Sequence, residues 1–445
     1  MRASCSRIRS SSALLRGFGA QAGAPKKGQG AGGEGPALRH NQIMRRGWTP
    51  APCPLPLSHS PLTCSSRKAW RIPTLPATLV LMLTACSTPA PETDSSTSLS
   101  RTLSSANNLS FESIESPLQL VFPRDHAAHP RQRIEWWYLT ARLQTAEGRR
   151  FGTQVALFRY GLQPEDVAVR SDWSGKQIYL AHAAVTDIDG DRFLYDEHWA
   201  RGAAGLAGVQ QNPWRVWAND CSIASASDQA FLPLELACGG AGFRYRLSLS
   251  GADSPVLHGD AGYSRKSDAP GSASAYYSYP RLTAVGQIQI AENTFAVSGQ
   301  AWYDHEWTSG VLAADQVGWD WFSLRLSDGS ALMLFNIRDR HGEVVARHGS
   351  LIATDGRVQA LTAEEIDIEP SGYWRSDKTG VSWPVRWRLH SESLGLSLNI
   401  APVREDQELD TTTRYWEGAI DAQGLRAGQP ISGEGYLELT GYSPR

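Results

Sequence analysis

The feature that most constrains the fold is an alternation of apolar and polar residues in short segments that begin at Ile134. These segments are rich in aromatic and β-branched residues, and Gly, Asp, Asn or Pro separates them. A period of two is typical of β-strands, whereas an amphipathic helix repeats its apolar residues every three or four positions. None of the segments has the length and period of a long helix. The sequence therefore predicts an all-β fold.

The strand-like segments fall into two successive series. The first runs from RIEWWYLTARL to NTFAVSGQAWYDHEW, and the second follows the small-residue stretch SGVLAADQ and ends in GEGYLELTGY. Roughly seven or eight segments in each series suit an antiparallel barrel or sandwich, and about eight strands that close on themselves can hold one small ligand. We therefore expect two tandem antiparallel β-barrel domains, at residues 116–312 and 313–445.

The first 85 residues have a different character, rich in Arg, Ser, Gly and Pro. Within them, basic residues at 67, 68 and 71 precede an apolar run that ends at Leu83, which is the layout of a secretory signal. Leu83-Thr-Ala-Cys86 resembles a bacterial lipobox, in which Cys86 carries the lipid and becomes the mature N-terminus. The alternatives are a plain cleaved signal peptide and a transmembrane anchor, but about 12 apolar residues are too few to span a bilayer.

This signal predicts where the protein resides. A lipid on Cys86 would anchor it in a membrane, and Ser87 at the next position favours the periplasmic face of the outer membrane. Residues 86–115, rich in Ser, Thr and Pro, are expected to be a flexible tether. Because the signal begins so far into the chain, we expect translation to start downstream, so that residues 1 to about 64 are not made.

Charge argues against nucleic-acid binding. The first 85 residues hold 12 Lys and Arg against one acid, so residues 86–445 carry 31 basic and 44 acidic groups, a net charge of −13. An acidic surface of this kind repels a phosphate backbone.

Two of the six cysteines belong to the predicted folded part. Cys221 and Cys238 lie on strand-like segments joined by a loop, and an oxidising periplasm permits a disulfide between them. Two buried free thiols are the alternative.

The segment Ala301–Trp307, AWYDHEW, is the main candidate site. On a strand, Trp302, Asp304 and Glu306 face one way, and Tyr303, His305 and Trp307 face the other. Burial against an aromatic ring, with a second acid nearby, would raise a carboxyl pKa and keep one acid protonated as a potential general acid. The alternative is that these groups form structural ion pairs between the two domains.

Other polar groups near aromatic residues are weaker candidates. Glu135 starts the first series within EWWY, and Arg159, Arg281 or Arg325 could pair with it and keep it ionised. His182 and the segment Tyr195–Trp199, YDEHW, are more typical of structural groups.

Recognised signatures of metal and cofactor sites are missing from the sequence. It has no His-x-His or His-Glu-x-x-His spacing, no Gly-x-Ser-x-Gly elbow, no P-loop and no dinucleotide fingerprint. We therefore predict no metal and no cofactor, and we exclude serine hydrolases, kinases and nicotinamide enzymes.

Tryptophan usage is compatible with a ring-lined pocket. Fourteen of the 16 Trp follow residue 85, and Met333 is the one Met among those residues. Such rings suit a pocket for a long hydrophobic molecule, and they equally suit two well-packed β cores.

Several motifs together resemble one protein family. The segments EWWYLTARL, YSYPRL, VSGQAWYDHEW, GWDWFSLRLSDGSALMLFNIRD and YWEGAI…GEGYLELTGY are similar to the AttH and hydroxyneurosporene synthase (carotenoid 1,2-hydratase) family. The resemblance runs from about Leu118 to the C-terminus. It implies two tandem lipocalin-like barrels with a ligand pocket near their junction.

The resemblance also implies a reaction. In the hydratase, an aspartic acid is thought to protonate an isolated double bond, and water captures the resulting cation; Asp304 matches that aspartate by its place in the Asp-His pair. The chain departs from the hydratase at Trp302, where the hydratase has Tyr, and at SAYYSYP, where it has His-x-Trp. Fungal cyclases that shape a polyene share the scaffold.

The sequence thus predicts a cell-envelope lipoprotein that binds a hydrophobic, isoprenoid or lipid-like molecule, with a hydratase-like lyase activity as the enzymatic hypothesis. In it, Asp304 is the acid, and His305 and Glu306 position the acid or the water. A non-catalytic carrier, or an envelope-assembly factor working with an export system, is the alternative. The predicted ligand-binding residues are Glu135, Trp136, Tyr138, Tyr277, Trp302, Tyr303, Trp307 and Trp319.

Overall fold

The computed structural model describes residues 111–163, 175–252, 254–310, 312–313 and 315–444. The predicted leader, Cys86 and the predicted tether up to residue 110 lie outside the described residues. Within these ranges one short 3-10 helix spans Arg124–His126, and no helix is long and apolar enough to cross a membrane.

The first series of segments forms one antiparallel sheet. Its order is β4-β3-β2-β1-β13-β12-β9-β8-β7-β6-β5, and β10 and β11 also pair with β12. The long hairpin of the last two strands therefore returns to lie beside the first strand. The strands are β1 (Ile134–Gln144), β2 (Arg150–Gly161), β3 (Gln177–Asp187), β4 (Arg192–Arg201), β5 (Ala207–Gln211), β6 (Trp214–Ala218), β7 (Cys221–Ser225), β8 (Leu234–Gly240), β9 (Phe243–Ser250), β10 (Val256–Leu257), β11 (Tyr263–Arg265), β12 (Ala273–Ile290) and β13 (Asn293–Thr308).

This first sheet curls into a near-barrel. Its β4 edge approaches β8, where the His198 ring hydrogen-bonds the Gly239 carbonyl at 2.8 Å, and Asp196 accepts a bond of 2.8 Å from the Ala241 N–H just beyond β8. The enclosed face carries the first core, a set of fully buried rings and aliphatic side chains such as Trp137 and Tyr277. Curling lets most strands of the sheet pack an apolar face against one another.

The second series forms another antiparallel sheet, curled into a half-barrel. Its order is β17-β16-β15-β14-β23-β22-β20-β19-β18, with β21 paired to β22. Its concave face holds the second core, which includes Trp383, Trp387 and Trp416. The strands are β14 (Gln316–Leu326), β15 (Ala331–Asp339), β16 (Val344–Ile352), β17 (Val358–Leu361), β18 (Asp367–Arg375), β19 (Ser382–Ser391), β20 (Leu396–Pro402), β21 (Glu408–Asp410), β22 (Arg414–Arg426) and β23 (Gln429–Thr440).

The predicted all-β fold with two tandem antiparallel lipocalin-like units is confirmed, the first as a near-barrel and the second as a half-barrel. The domain boundary at 312/313 stays a prediction. Cys221 and Cys238, buried in the first core on adjacent strands β7 and β8, form a disulfide in the structure.

A third apolar cluster lies between the two sheets, where the outer face of the first meets the second. Trp302, Trp321, Tyr436 and Phe335 are among its members. Gly152 leaves room for this contact, since a Cβ there would come within 2.5 Å of the Tyr436 hydroxyl.

Arginines at the margins fasten the two sheets to each other. Arg142 donates to the Ile420 carbonyl at 2.6 Å and pairs with Asp421 at 2.8 Å, and Arg281 donates to the Ile352 carbonyl at 2.8 Å. In the described part of the chain, the ion pairs between the two sheets, such as Arg142–Asp421, lie outside the segment Ala301–Trp307.

The β12–β13 hairpin is irregular near the candidate site. The register of the two strands shifts between Tyr279 and Leu282. Pro280 lies in this gap, and proline lacks the N–H that a regular ladder needs. The shift separates the outer part of the hairpin from the part that carries Ser278 and Asp304.

Candidate active site

The segment Ala301–Trp307 lies at the centre of the first sheet. It belongs to β13, where Asp304 is opposite Tyr138 of β1 on one side and Ser278 of β12 on the other. Ladders on both sides hold the backbone of β13, so the directions of its side chains are fixed by the pleat.

Alternation splits the segment between two environments, as the strand pattern predicts. Tyr303 and Trp307 belong to the first core, inside the near-barrel. Trp302 belongs to the cluster between the sheets, and Asp304 and Glu306 line a cavity there.

This inter-sheet cavity has aromatic walls with acids among them. Its water-accessible volume is about 70 Å³, and one water needs about 10–15 Å³ by this measure, so a few waters or the end of a slender apolar chain fit. Both sheets and two loop residues contribute. The lining residues are Ile134, Trp136, Tyr138, Ala156, Phe158, Lys266, Tyr276, Asp304, Glu306, Leu312, Trp319, Trp321, Phe335, Ile337, Tyr415, Glu417 and Glu438.

Asp304 is a buried acid that is mostly neutral near pH 7. Burial raises the pKa of its carboxyl to about 8, although hydrogen bonds from Ser278, Trp302 and Tyr276 partly oppose the shift and the charge of Glu306 adds to it. Its Oδ1 accepts from the Ser278 hydroxyl and, at 2.7 Å, from Trp302 Nε1. Because Oδ1 accepts both bonds, Oδ2 is the oxygen that carries the proton.

Glu306, two residues along the same face, is instead ion-paired. Lys266 Nζ lies 2.9 Å from its Oε1, and the Ser274 hydroxyl donates to the same oxygen. The ammonium also lies 4.2 Å from the centre of the Phe335 ring, a cation–π contact. The cavity therefore places a neutral acid and a charged carboxylate on one strand face, which permits different chemical roles.

The second sheet adds two more acids to the cavity. Glu417 of β22 and Glu438 of β23 are direct cross-strand partners. Burial and the nearby Glu438 raise the pKa of Glu417 well above its usual range, and burial raises the pKa of Glu438 to about 7. The Tyr138 hydroxyl and Gln154 Nε2, the latter at 2.8 Å, donate to Glu417.

Sequence reasoning did not predict these two acids as site residues. They lie in YWEGAI and YLELT, within apolar strand segments. An acid inside such a segment is a usable signal, since unpaired acids are rarely placed in a core. Their meeting with Asp304 depends on how the two sheets pack.

Four of the predicted binding residues surround the acid. Trp136, Tyr138 and Trp319 line the inter-sheet cavity, and Trp302 supports Asp304 through its indole N–H.

The other four predicted binding residues, Glu135, Tyr277, Tyr303 and Trp307, do not line this cavity; they are buried residues of the near-barrel side of the sheet. His305 also faces away from Asp304. It hydrogen-bonds the Tyr277 hydroxyl at 3.0 Å and Glu135 at 2.8 Å, and burial lowers its pKa to about 4. The structure therefore does not bring His305 and Asp304 to one side of the sheet, because adjacent residues on a strand point to opposite faces.

Glu135 makes a fully buried ion pair with Arg159, at 2.8 Å. Of the three arginines considered as its partner, Arg159 is the one that pairs with it. Burial opposes ionisation, but Arg159 and the bonds from His129 and His305 outweigh it and hold the Glu135 pKa well below its usual range. Glu135 thus has the features of a structural group.

His129, Glu135 and His305 form the group of possible metal ligands in the part of the chain that the structure describes, with ligand atoms within 4.8 Å of one another. Both rings hydrogen-bond Glu135 Oε1 at 2.8 Å, and Arg159 occupies the other carboxylate oxygen. A guanidinium at this position would repel a cation, so these residues fit a hydrogen-bonded cluster better than a metal site.

His182 and the YDEHW segment connect to the far side of the cavity. The His182 ring bonds the Tyr415 hydroxyl at 2.8 Å and Glu197 of β4 at 3.0 Å. Both ring nitrogens have partners, as expected for a structural histidine.

Comparisons with known proteins agree with this architecture. A protein of Nitrosomonas europaea provisionally assigned to AttH, whose crystal structure is at 2.00 Å resolution, shares 32% identity and superposes with a TM-score of 0.67 over 75% of this chain and 100% of its own. Kievitone hydratase from Nectria haematococca shares the fold at 17% identity and a TM-score of 0.56, over 75% of this chain and 98% of its own.

No curated protein sequence matches the chain. The family model described as AttH-like matches residues 113–442, which spans both sheets. By this match, and by its likeness to the Nitrosomonas protein, the chain belongs to the AttH-like family.

Proposed function

We propose that this protein is a hydratase of the lyase class, which adds water to an alkene in an apolar, isoprenoid or lipid-like molecule. The observation that carries the proposal is the Asp304 carboxyl, buried in an aromatic cavity with its pKa raised to about 8. A carboxylic acid that stays protonated near neutral pH is a competent proton donor.

The reaction would begin with proton transfer from Asp304. The Asp304 O–H bond breaks, a C–H bond forms on the less substituted alkene carbon, and the positive charge develops on the more substituted carbon. The faces of nearby rings, such as Trp136 and Trp319, stabilise that charge.

Water then captures the cation. The new C–O bond leaves an extra proton on the oxygen, which must pass to a base. Glu306 is a carboxylate on the same strand face as Asp304, and its partner Lys266 holds it in place. We assign Glu306 to orienting the water and accepting this proton before it leaves for solvent.

The size of the cavity suits the short alkene end of a molecule rather than a whole long polyene. Its water-accessible volume of about 70 Å³ suits the end of a prenyl-type group. Trp302, at the position where the carotenoid hydratase has Tyr, hydrogen-bonds Asp304. The hydratase named among proteins of this fold converts kievitone, and its name agrees with the proposed reaction class.

The test is an assay in H₂¹⁸O with two probes that carry a dimethylallyl end, a prenylated phenol and an acyclic isoprenoid. Mass spectrometry should find a product heavier by one labelled water. Asp304→Asn should reduce the rate by at least about 100-fold, because the amide cannot give up a proton.

His305→Gln is the matched control. This neighbour on β13 faces the near-barrel, so its folded variant should keep its rate within about threefold. If the unaltered protein and Asp304→Asn both bind these probes and neither forms labelled product, the protein is a carrier rather than a hydratase.

We propose the same envelope location that the signal predicts, with Cys86 lipidated and the folded part at the periplasmic face of the outer membrane. Mass spectrometry of the mature N-terminus and membrane fractionation test this. Cys86→Ser should release the protein into the soluble fraction, and an unmodified Cys86 would contradict the proposal. The apolar substrate and the membrane are the proposed partners, and an export system is a further one; nucleic acid is not proposed.

A further inference from the structure

A chain of hydrogen bonds leads from Asp304 away from the inter-sheet cavity. Ser278 Oγ donates to Asp304 Oδ1, His258 Nε2 lies 2.7 Å from Ser278 Oγ, and His258 Nδ1 lies 3.0 Å from Ser350 Oγ. Ser278 belongs to β12 of the first sheet and Ser350 to β16 of the second. The chain therefore crosses from one sheet to the other.

The four side chains of this hydrogen-bond chain are almost completely buried. Ser278 and His258 have no exposed surface, Ser350 is 1% exposed and Asp304 is 3% exposed. Because buried polar groups need hydrogen-bond partners, these groups satisfy one another, and this keeps the order of the partners fixed.

The hydrogen atoms have one consistent direction. Because Ser278 uses its O–H on Asp304, it accepts from His258, which must carry its hydrogen on Nε2. Nδ1 is then the acceptor for the Ser350 hydroxyl. Every donor in the chain points toward Asp304.

His258 has the charge state that such a chain needs. Burial, and to a lesser degree the charge of Lys266, lowers its pKa to about 3. A neutral imidazole has one donor and one acceptor, whereas an imidazolium has two donors and could not accept from Ser350.

The far end of the chain reaches a second, solvent-facing pocket. This outer pocket has a water-accessible volume of about 490 Å³, and His258 and Ser350 form part of its wall. Exposed residues, among them Asp260, Arg265 and His348, line part of the remaining wall. Water can therefore stand next to Ser350 without entering the inter-sheet cavity.

We propose that Ser278 and His258 relay protons from water in the outer pocket to Asp304. The inference rests on the proposed function, in which Asp304 loses a proton at every turnover. The two residues act through Asp304 and do not touch the substrate.

In one relay event, each proton moves by one step along the chain toward Asp304. The Asp304 carboxylate takes the Ser278 hydroxyl proton, Ser278 takes the His258 Nε2 proton, His258 takes the Ser350 proton at Nδ1, and Ser350 takes one from water. The proton released when water captures the substrate cation leaves from the cavity side, so no net proton is consumed. The proton arrives on Oδ1, the oxygen that accepts from Ser278. A half-turn of the carboxyl then brings this O–H to the position of Oδ2, and rotation of the hydroxyls and exchange of the imidazole tautomer restore the rest of the starting order.

The test follows exchange at the Asp304 carboxyl without any turnover. After transfer of the full-length protein into D₂O, infrared spectroscopy follows the shift of the protonated carboxyl band, assigned to Asp304 by its loss in Asp304→Asn. His258→Gln is the informative variant, because an amide can hydrogen-bond both serines but does not pass protons as an imidazole does. We expect exchange to slow by at least about tenfold, a fraction of the usual effect of a positioned proton-transfer group.

His348→Gln is the matched control, since His348 lines the same outer pocket and takes no part in the hydrogen-bond chain. It should leave the exchange rate unchanged. A structural role for His258 predicts that the hydrogen-bonding Gln restores normal behaviour; unchanged exchange in His258→Gln would overturn the relay. If that variant does not fold, Ser350→Val removes the outer hydroxyl and should give the same slowing.

The exchange measurement tests the relay independently of the proposed function. If no alkene is hydrated, the exchange measurement still shows whether the relay exists. If hydration is found, His258→Gln should complete a first turnover at the normal rate, from the proton already on Asp304, and then slow by at least about tenfold. Equal first and later turnovers would again overturn the relay.

Discussion

The substitution Asp304→Asn should make the protein more stable relative to the unaltered chain as pH rises. The carboxyl has an ordinary pKa of 3.8, and burial raises it to about 8 in the folded state. Between these values the unfolded chain has released its proton while the folded protein keeps it. The unfolded state then binds fewer protons, so the free energy of unfolding falls as pH increases.

The magnitude follows from the size of this window. Each pH unit within it removes about 1.4 kcal/mol of stability through this one group. Between pH 5 and pH 8 the loss is about 4 kcal/mol. An asparagine is neutral in both states and keeps the oxygen that accepts from Ser278 and Trp302, so the variant is free of this loss.

Urea unfolding at pH 5, 6, 7 and 8, followed by tryptophan fluorescence at constant ionic strength, measures the effect. The quantity to compare is the difference in unfolding free energy between the variant and the unaltered protein. The pH-dependent contributions of Glu417 and Glu438 are present in both proteins, so they largely cancel in this difference. We expect it to rise by about 4 kcal/mol across the range. Asp377→Asn, at an exposed position, is the control and should give a level difference. A level difference for Asp304→Asn would refute a neutral buried acid and, with it, the proposed proton donor.

Three further predictions concern the pH dependence of the reaction, the pair Lys266–Glu306 and the disulfide. The hydration rate should decline above about pH 8, where Asp304 loses its proton, and a rate that rises through pH 9 would contradict its role as the acid. Lys266→Met should lower the unfolding free energy by about 3–5 kcal/mol, because it leaves Glu306 as an unpaired buried charge; adding Glu306→Gln should recover most of the loss, and no recovery would show that the two are not coupled. Replacing Cys221 and Cys238 together by Ala should cost about 3 kcal/mol, since the bridge closes a loop with a sequence separation of 17 residues, and an unchanged urea midpoint would argue against the bridge.

Two features of the site were accessible from the sequence. Alternation along Ala301–Trp307 correctly separates Asp304 from its neighbour His305, and an acid beside Trp302 indicates a perturbed carboxyl. The sequence also suggested Arg159 as one partner of Glu135, which the structure bears out at 2.8 Å. These inferences succeed because they use contacts within one strand or between adjacent strands.

Other features could not be reached in this way. Glu417 and Glu438 lie more than a hundred residues after Asp304 in the chain, and no local pattern connects them to it. The sequence also does not say which face of β13 meets the second sheet, so it could not place the cavity on the side of Asp304. His258 lies in a loop segment without any motif, and its partners Ser278 and Ser350 are ordinary strand residues.

The sequence by itself determined the all-β class, the two series of strands and the two faces of β13, because side-chain alternation is a property of the extended backbone and needs no distant partner. The tertiary structure decided which face became a cavity, which acids gathered in it and which of them stay neutral. The cause is desolvation, since a carboxyl's pKa depends on how completely the surrounding groups exclude water. At Asp304 that exclusion comes from a second sheet whose packing against the first is set by contacts far apart in the chain.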